Sequence, residues 1–215
     1  MVTFRRLADT EEDLLETFLY LAIHQEDPTN PVSRSVLELP ELATYISNWG
    51  RRSDHCLVAE VGGVVIGAVW CRMYAGQVTG YGFVDDQIPE LTMSLLPEYR
   101  GRGIGSELLG RLFELLQEKG FERASLSCQV SNPAYRLYQR MGFETLRLGD
   151  GMRSWSLNSK NHSEPDQTGV GPGRETRVGH RKSRALALAK TRDVKLVLAH
   201  YCIECRTKLC CFISV

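Results

Sequence analysis

Along the first 157 residues the apolar positions switch repeatedly between a period of two and a period near 3.6, as strands and amphipathic helices require. Residues 2–7 predict a short strand. Leu14, Leu15, Phe18, Leu19 and Ala22 then share one face of a helix, with Asp9 and Glu12 ahead of it as a capping pair. Two prolines within residues 27–34 mark a loop. Pro40 suits a first helical position, and Leu42, Tyr45, Ile46 and Trp49 recur at helical spacing until Gly50. Residues 55–61 and 64–73 predict strands joined around Gly62-Gly63, and the second is apolar on both faces, which argues a central place in a sheet.

Residues 74–89 form a long connection with Gly76, Gly80 and Gly82, and with Asp85-Asp86 near its end. Such a segment is either a binding loop or slack. Glu90 opens the strand 91–95, which Pro97 ends. Next come the turn Arg100-Gly101-Arg102-Gly103-Ile104-Gly105 and a helix whose apolar face includes Ile104, Leu108, Leu109, Leu112 and Leu116, closing at Lys119-Gly120. Residues 124–130 predict a strand. Asn132-Pro133 supplies a cap and a first-turn proline for a helix that aligns Ala134, Leu137, Tyr138 and Met141. Residues 143–148 and 152–157 can pair as a final hairpin. The fold class is α/β: a mixed, mostly antiparallel central sheet flanked by helices.

Charge divides the chain at about Leu157. Residues 1–157 hold 15 basic and 21 acidic residues, and residues 158–215 hold 11 and 5, so a mildly acidic domain carries a basic tail. The tail is poor in apolar residues up to Arg184 and reads as disordered, with a short helix possible over residues 184–199. Cys202, Cys205, Cys210 and Cys211 with His200 resemble a zinc knuckle only superficially, because the second pair lacks its own two-residue spacing; no metal is expected. Cys56, Cys71 and Cys128 lie in apolar runs and read as buried small hydrophobes. No run of about 18 apolar residues and no apolar signal core is present, so neither a membrane partner nor export is expected, and a cytoplasmic location is.

The chemistry gathers around the glycine turn. Glycines at a strand-to-helix junction let the backbone approach a ligand, and the unpaired first-turn N–H groups and the helix dipole suit a phosphate. Arg100 and Arg102 add positive charge, although glycines there can serve packing alone and the arginines can be ordinary surface residues. The turn R-x-x-G-x-G, followed by Asn132-Pro133-Ala134-Tyr135-Arg136-Leu137-Tyr138 and Met141-Gly142-Phe143, resembles the GNAT superfamily of N-acetyltransferases over roughly residues 2–157.

That resemblance implies a sheet splayed between its fourth and fifth strands with acetyl-CoA in the splay. It places main-chain groups of Met93, Ser94 and Leu95 along the pantetheine arm and the Leu95 N–H at the thioester oxygen. The N–H groups of Arg100, Gly101, Arg102, Gly103, Ile104, Gly105 and Ser106 fall on the pyrophosphate, and Asn132 on the pantetheine side. Tyr138 then protonates the departing thiolate; on periodicity alone it is a core tyrosine. Glu90 is the candidate general base, acting through water, with Asp85, Asp86 or no dedicated base as alternatives and a solvated strand-end carboxylate as the plain reading. The implied acceptor is a primary amine on a small molecule, a peptide or a protein. A homodimer is a candidate partner, because such sheets pair. Rival functions are an acyl-CoA-binding regulatory module and tail-mediated partner binding; a nucleic-acid partner ranks last, since the tail lacks interleaved aromatics.

Overall fold

Gly62 and Gly63 adopt left-handed φ values of 59° and 82°, as a two-residue hairpin turn requires. They join β2 (His55–Val61) to β3 (Val64–Arg72) in the centre of the sheet. The computed structural model describes residues 1–148, except Glu26, Pro28 and Val130, together with residues 195–201. β1 (Thr3–Arg6) runs antiparallel to β2, and β4 (Glu90–Leu95) runs antiparallel to β3. β5 (Arg123–Ser127) is parallel to β4 but shares only the register pair Glu90↔Ser125 with it, so the two strands part at once. The sheet is therefore mixed, antiparallel through its first four strands and parallel beyond them, and splayed between the fourth and fifth.

Helix α1 (Leu14–Ala22) packs against β4, where the buried Ser94 hydroxyl donates to the Phe18 carbonyl at 2.6 Å. Helix α3 (Ile104–Glu118) packs against β2 and β3 through Leu108, Leu109, Leu112 and Leu116. A short α4 (Tyr135–Arg140) follows β5 and leads to β6 (Glu144–Leu148). Cys56, Cys71 and Cys128 are buried and free, as their apolar contexts predict.

Several local expectations need correction. The pair Asp9/Glu12 does not cap α1; a 3-10 turn over Asp9–Glu11 precedes it, and Glu11 reaches back to the Ala8 N–H at 3.1 Å while Arg5 holds the same carboxylate. The helix expected from Pro40 to Gly50 is only α2 (Pro40–Ala43). Arg72 is the cause: its guanidinium donates to the carbonyls of Thr44, Ser47 and Asn48, turning them away from helical partners, and Asn48 takes a φ of 50°. Asn132 does not sit at the N-cap of α4, which is Ala134; from two residues ahead its Oδ1 accepts the Ala134 N–H at 2.9 Å. Where a helix was possible over residues 184–199, residues 195–201 form a strand, β7 (Lys195–Tyr201), parallel to and between β5 and β6. The expected hairpin partner 152–157 and the cysteines at 202–211 lie outside the described residues.

Candidate active site

The splay sets out main-chain groups by simple alternation. The Leu96 N–H donates to Ile66 O on the β3 side, so the two-residue period turns the main-chain groups of Leu95 and Met93 toward β5. Ser94 is different: the same alternation commits its main chain to β3, and its hydroxyl serves α1. The side chain of Leu95 lies over Gly67, where an added Cβ would overlap Leu95 Cδ2. Arg100, half-buried, donates from Nε to Leu95 O at 3.1 Å and so ties the glycine turn back to the strand end. Burial lowers its pKa.

In the turn itself, Gly101 and Gly103 have φ values of 70° and 82°, which side chains adopt only at a cost. The first helical bond of α3 runs from Glu107 N to Gly103 O at 3.2 Å, which leaves the N–H groups of Gly103, Ile104, Gly105 and Ser106 outside the helix's own bonding. Gly101, Arg102 and Gly103 are exposed, and the Arg102 guanidinium lies over the Tyr99 ring at 5.4 Å. The turn thus gathers oriented N–H donors, exposed at Gly103 and buried at Ile104 and Gly105, with positive charge beside them.

Across the start of the splay stands Glu90. The plain reading of a solvated strand-end carboxylate does not hold: Glu90 is 2 % exposed. Its Oε1 accepts the Tyr45 hydroxyl at 2.5 Å and the Gly82 N–H at 2.7 Å, while Oε2 has no partner. Burial pushes its pKa up to about 7, against the pull of those two hydrogen bonds. The 74–89 connection is packed down over this carboxyl. A Cβ on Gly82 would meet the backbone of Leu126 and Ser127 at 2.6 Å, so this glycine rests on the edge of β5. Asp85 and Asp86 are exposed, and Asp85 accepts the Gln87 N–H at 2.9 Å, so neither joins the cluster.

At the far end of β5, Tyr138 is fully buried with its ring edge-on to Phe143, 5.4 Å between centroids. Its hydroxyl has no partner among the described residues, and burial first, then Cys128, raises its pKa well above the usual range. Asn132 is buried too, and its Nδ2 is unpartnered although Oδ1 is satisfied. Unpartnered buried polar atoms are rare in folded proteins. Among the side chains of the described residues there are five: Tyr74 OH, Glu90 Oε2, Ser125 Oγ, Asn132 Nδ2 and Tyr138 OH. All belong to β4, to β5 or to segments directly before or after them.

Sequence reading missed Tyr45, Tyr74, Gly82 and Ser125. One signal was present. Tyr45 stands where periodicity asks only for an apolar residue, and a buried phenol needs a partner that leucine would not. Arg72, beside Tyr45, forms a fully buried ion pair with Asp54 at 2.7 Å.

Comparison with known proteins agrees with this geometry. The described residues hold no helix long and apolar enough to cross a membrane. The chain is 35% identical over 89 residues to an N-alpha-acetyltransferase of Arabidopsis thaliana, covering 41% of this chain and 44% of that one. It is 37% identical over 75 residues to the ribosomal protein bS18-alanine N-acetyltransferase of Haemophilus influenzae, covering 34% and 51%. The chain thus spans about half the length of these curated relatives. The fold matches the crystal structure of a GCN5-related N-acetyltransferase from Ralstonia eutropha JMP134 with a TM-score of 0.51 at 19% identity, over 73% of this chain and 99% of that one. The family model for the Acetyltransferase (GNAT) family matches residues 19–143, more than half of the chain, and the chain belongs to that family.

Proposed function

We propose that residues 1–157 form an acetyltransferase domain that moves the acetyl group of acetyl-CoA to a primary amine by direct attack in a ternary complex, with β7 contributed by the segment that follows. The unpartnered buried side-chain atoms on β4, on β5 and in the segments beside them carry this reading, because a thioester and an amine bound between these strands would give partners to those that face the splay. The unpaired N–H groups at the start of α3 fit a pyrophosphate, and Met93 and Leu95 offer main-chain groups to an extended pantetheine arm.

The chemistry needs three things: a neutral amine, donors for the oxygen that gains charge, and a proton for the leaving sulfur. Glu90 takes a proton from the ammonium form of the acceptor, directly or through one water. The amine nitrogen bonds to the acetyl carbonyl carbon, the Leu95 N–H steadies the carbonyl oxygen, and the carbon–sulfur bond breaks. Tyr138 gives its proton to the CoA thiolate. Holding both substrates together removes the need for a covalent enzyme intermediate. One relative is named for N-alpha acetylation and the other for an alanine of a ribosomal protein, which favours the α-amine of a polypeptide among acceptors.

The test is amine-dependent CoA release from acetyl-CoA, followed across pH with small amines and N-terminal peptides. Wild type should lose kcat/KM as pH falls through about 7, where Glu90 protonates, and Glu90→Gln should abolish that acidic limb while acetyl-CoA affinity stays. A limb that persists in Glu90→Gln removes Glu90 as base. Tight acetyl-CoA binding with no release for any amine would make the protein a binding module instead.

A further inference from the structure

The two oxygens of Glu90 are not equivalent. Oε1 receives two donors, the Tyr45 hydroxyl at 2.5 Å and the Gly82 N–H at 2.7 Å, while Oε2 receives none and is fully buried. Gly80 lies against Oε2 so closely that an added Cβ would overlap it. Tyr45 is itself held at both ends: its hydroxyl accepts the Tyr81 N–H at 2.6 Å, and its carbonyl accepts the Trp70 indole N–H at 3.3 Å. The same phenol therefore fastens the 74–89 connection and orients the carboxyl.

We propose that Tyr45 is a positioning residue for the amine-deprotonating step, acting through Glu90: it holds Oε1 so that Oε2 is the atom that takes the acceptor's proton. This rests on the reading of Glu90 as the base. A hydrogen bond from Tyr45 stabilises the ionised carboxylate, so it keeps Glu90 able to accept a proton near neutrality despite complete burial. The other groups facing this cluster do not substitute for it. Tyr74, from the connection after β3, has a buried hydroxyl with no partner. Ser125, opposite Glu90 on β5, carries no charge. Arg72 pairs with Glu90 in the β3–β4 register, but its guanidinium is spent on Asp54 and three carbonyls. Arg51 and Asp54 act on Tyr74. Atoms balance simply: one proton leaves the acceptor nitrogen for Oε2, and none leaves Tyr45, whose own pKa is raised well above the ordinary phenol value by burial and by Glu90.

The experiment compares wild type, Tyr45→Phe and protein carrying 3-fluorotyrosine at position 45, a stronger donor of nearly the same shape. Two quantities are read on each: the acidic limb of kcat/KM, and the Glu90 carboxyl titration by carbon-13 NMR, assigned by its loss in Glu90→Gln. Tyr45→Phe should move both midpoints upward together by about one pH unit, the size expected for one lost charge-assisted hydrogen bond. The fluorinated variant should move both downward. A purely structural Tyr45 would lower turnover and thermal stability with both midpoints in place, and that result, or a downward shift in Tyr45→Phe, overturns the proposal. If the carboxyl midpoint moves while the kinetic limb stays and also survives Glu90→Gln, the base reading has failed and the positioning role falls with it. A carboxyl midpoint unmoved by Tyr45→Phe, beside a limb lost in Glu90→Gln, overturns the Tyr45 role alone.

Discussion

The two sides of the splay are built by opposite means. On the proposed donor side the groups on offer are backbone: alternate main-chain groups of β4, then the first-turn amides of α3 behind Gly101 and Gly103. The groups lie close together in sequence, are exposed only at residues 101–103 of the turn, and carry no titratable atom. On the proposed acceptor side the groups are side chains that meet only when folded. Tyr45 and Glu90 are 45 residues apart, and both are buried. A backbone cradle suits a ligand that is bound in the same way whatever the side chains. A side-chain pocket can be changed one residue at a time, which suits the half of the reaction where acceptors differ.

The largest effect expected lies where the two sides meet. Tyr138→Phe should lower kcat roughly 100-fold or more, the usual size of a lost general acid, with acetyl-CoA affinity and amine KM both within about twofold of wild type. Because the hydroxyl is fully buried without a partner, its removal should leave the melting temperature unchanged or raise it. Isothermal calorimetry, steady-state kinetics and a melting curve check all three. A fall in stability at near-normal turnover would return Tyr138 to the role of a core tyrosine.

That contrast explains what was legible. The strand–turn–helix at residues 91–118 and the motif from Asn132 to Phe143 are local, and their resemblance to the GNAT superfamily pointed to the fold, the splay and Tyr138 as a candidate acid. Glu90 was legible as a candidate only because it abuts this local unit. Its burial was not, since that comes from Tyr45, Gly80 and Gly82 folding over it from two other segments. Residues 44–48 were misread as helix for the same reason: periodicity cannot see that Arg72, arriving from β3, takes their carbonyls. β7 is a further case, because a strand between β5 and β6 is specified by its neighbours more than by its own composition.

A second variant separates the sides from the acceptor half. Asp54→Ala leaves the buried Arg72 guanidinium without its ion-pair partner. Breaking such a pair from one end should cost about 3 kcal/mol of unfolding free energy, read by urea denaturation. Arg72 retains its carbonyl contacts to residues 44–48 but loses the anchor that fixes its direction. Tyr45 lies within that segment, so amine KM should rise several-fold while acetyl-CoA affinity holds. Equal losses for both substrates would mean that the clamp supports the whole sheet and not the acceptor wall.

The smallest expected effect is the mirror image of that one. Gly103 takes a φ of 82° at the N-cap of α3, and an added Cβ there would meet nothing within 4 Å. The substitution Gly103→Ala is therefore conformational in its cost and not steric, about 1 kcal/mol for an L-residue in the left-handed region. That cost falls on the one turn conformation that directs the α3 amides outward, so the affinity for acetyl-CoA should weaken roughly fivefold. Amine KM and the acidic limb should not move, because no group of the Glu90 cluster touches this turn. A calorimetric titration with acetyl-CoA beside the pH profile decides it. If the limb shifts along with the affinity, the donor and acceptor sides are mechanically coupled, and the division between a backbone cradle and a side-chain pocket does not hold for this chain.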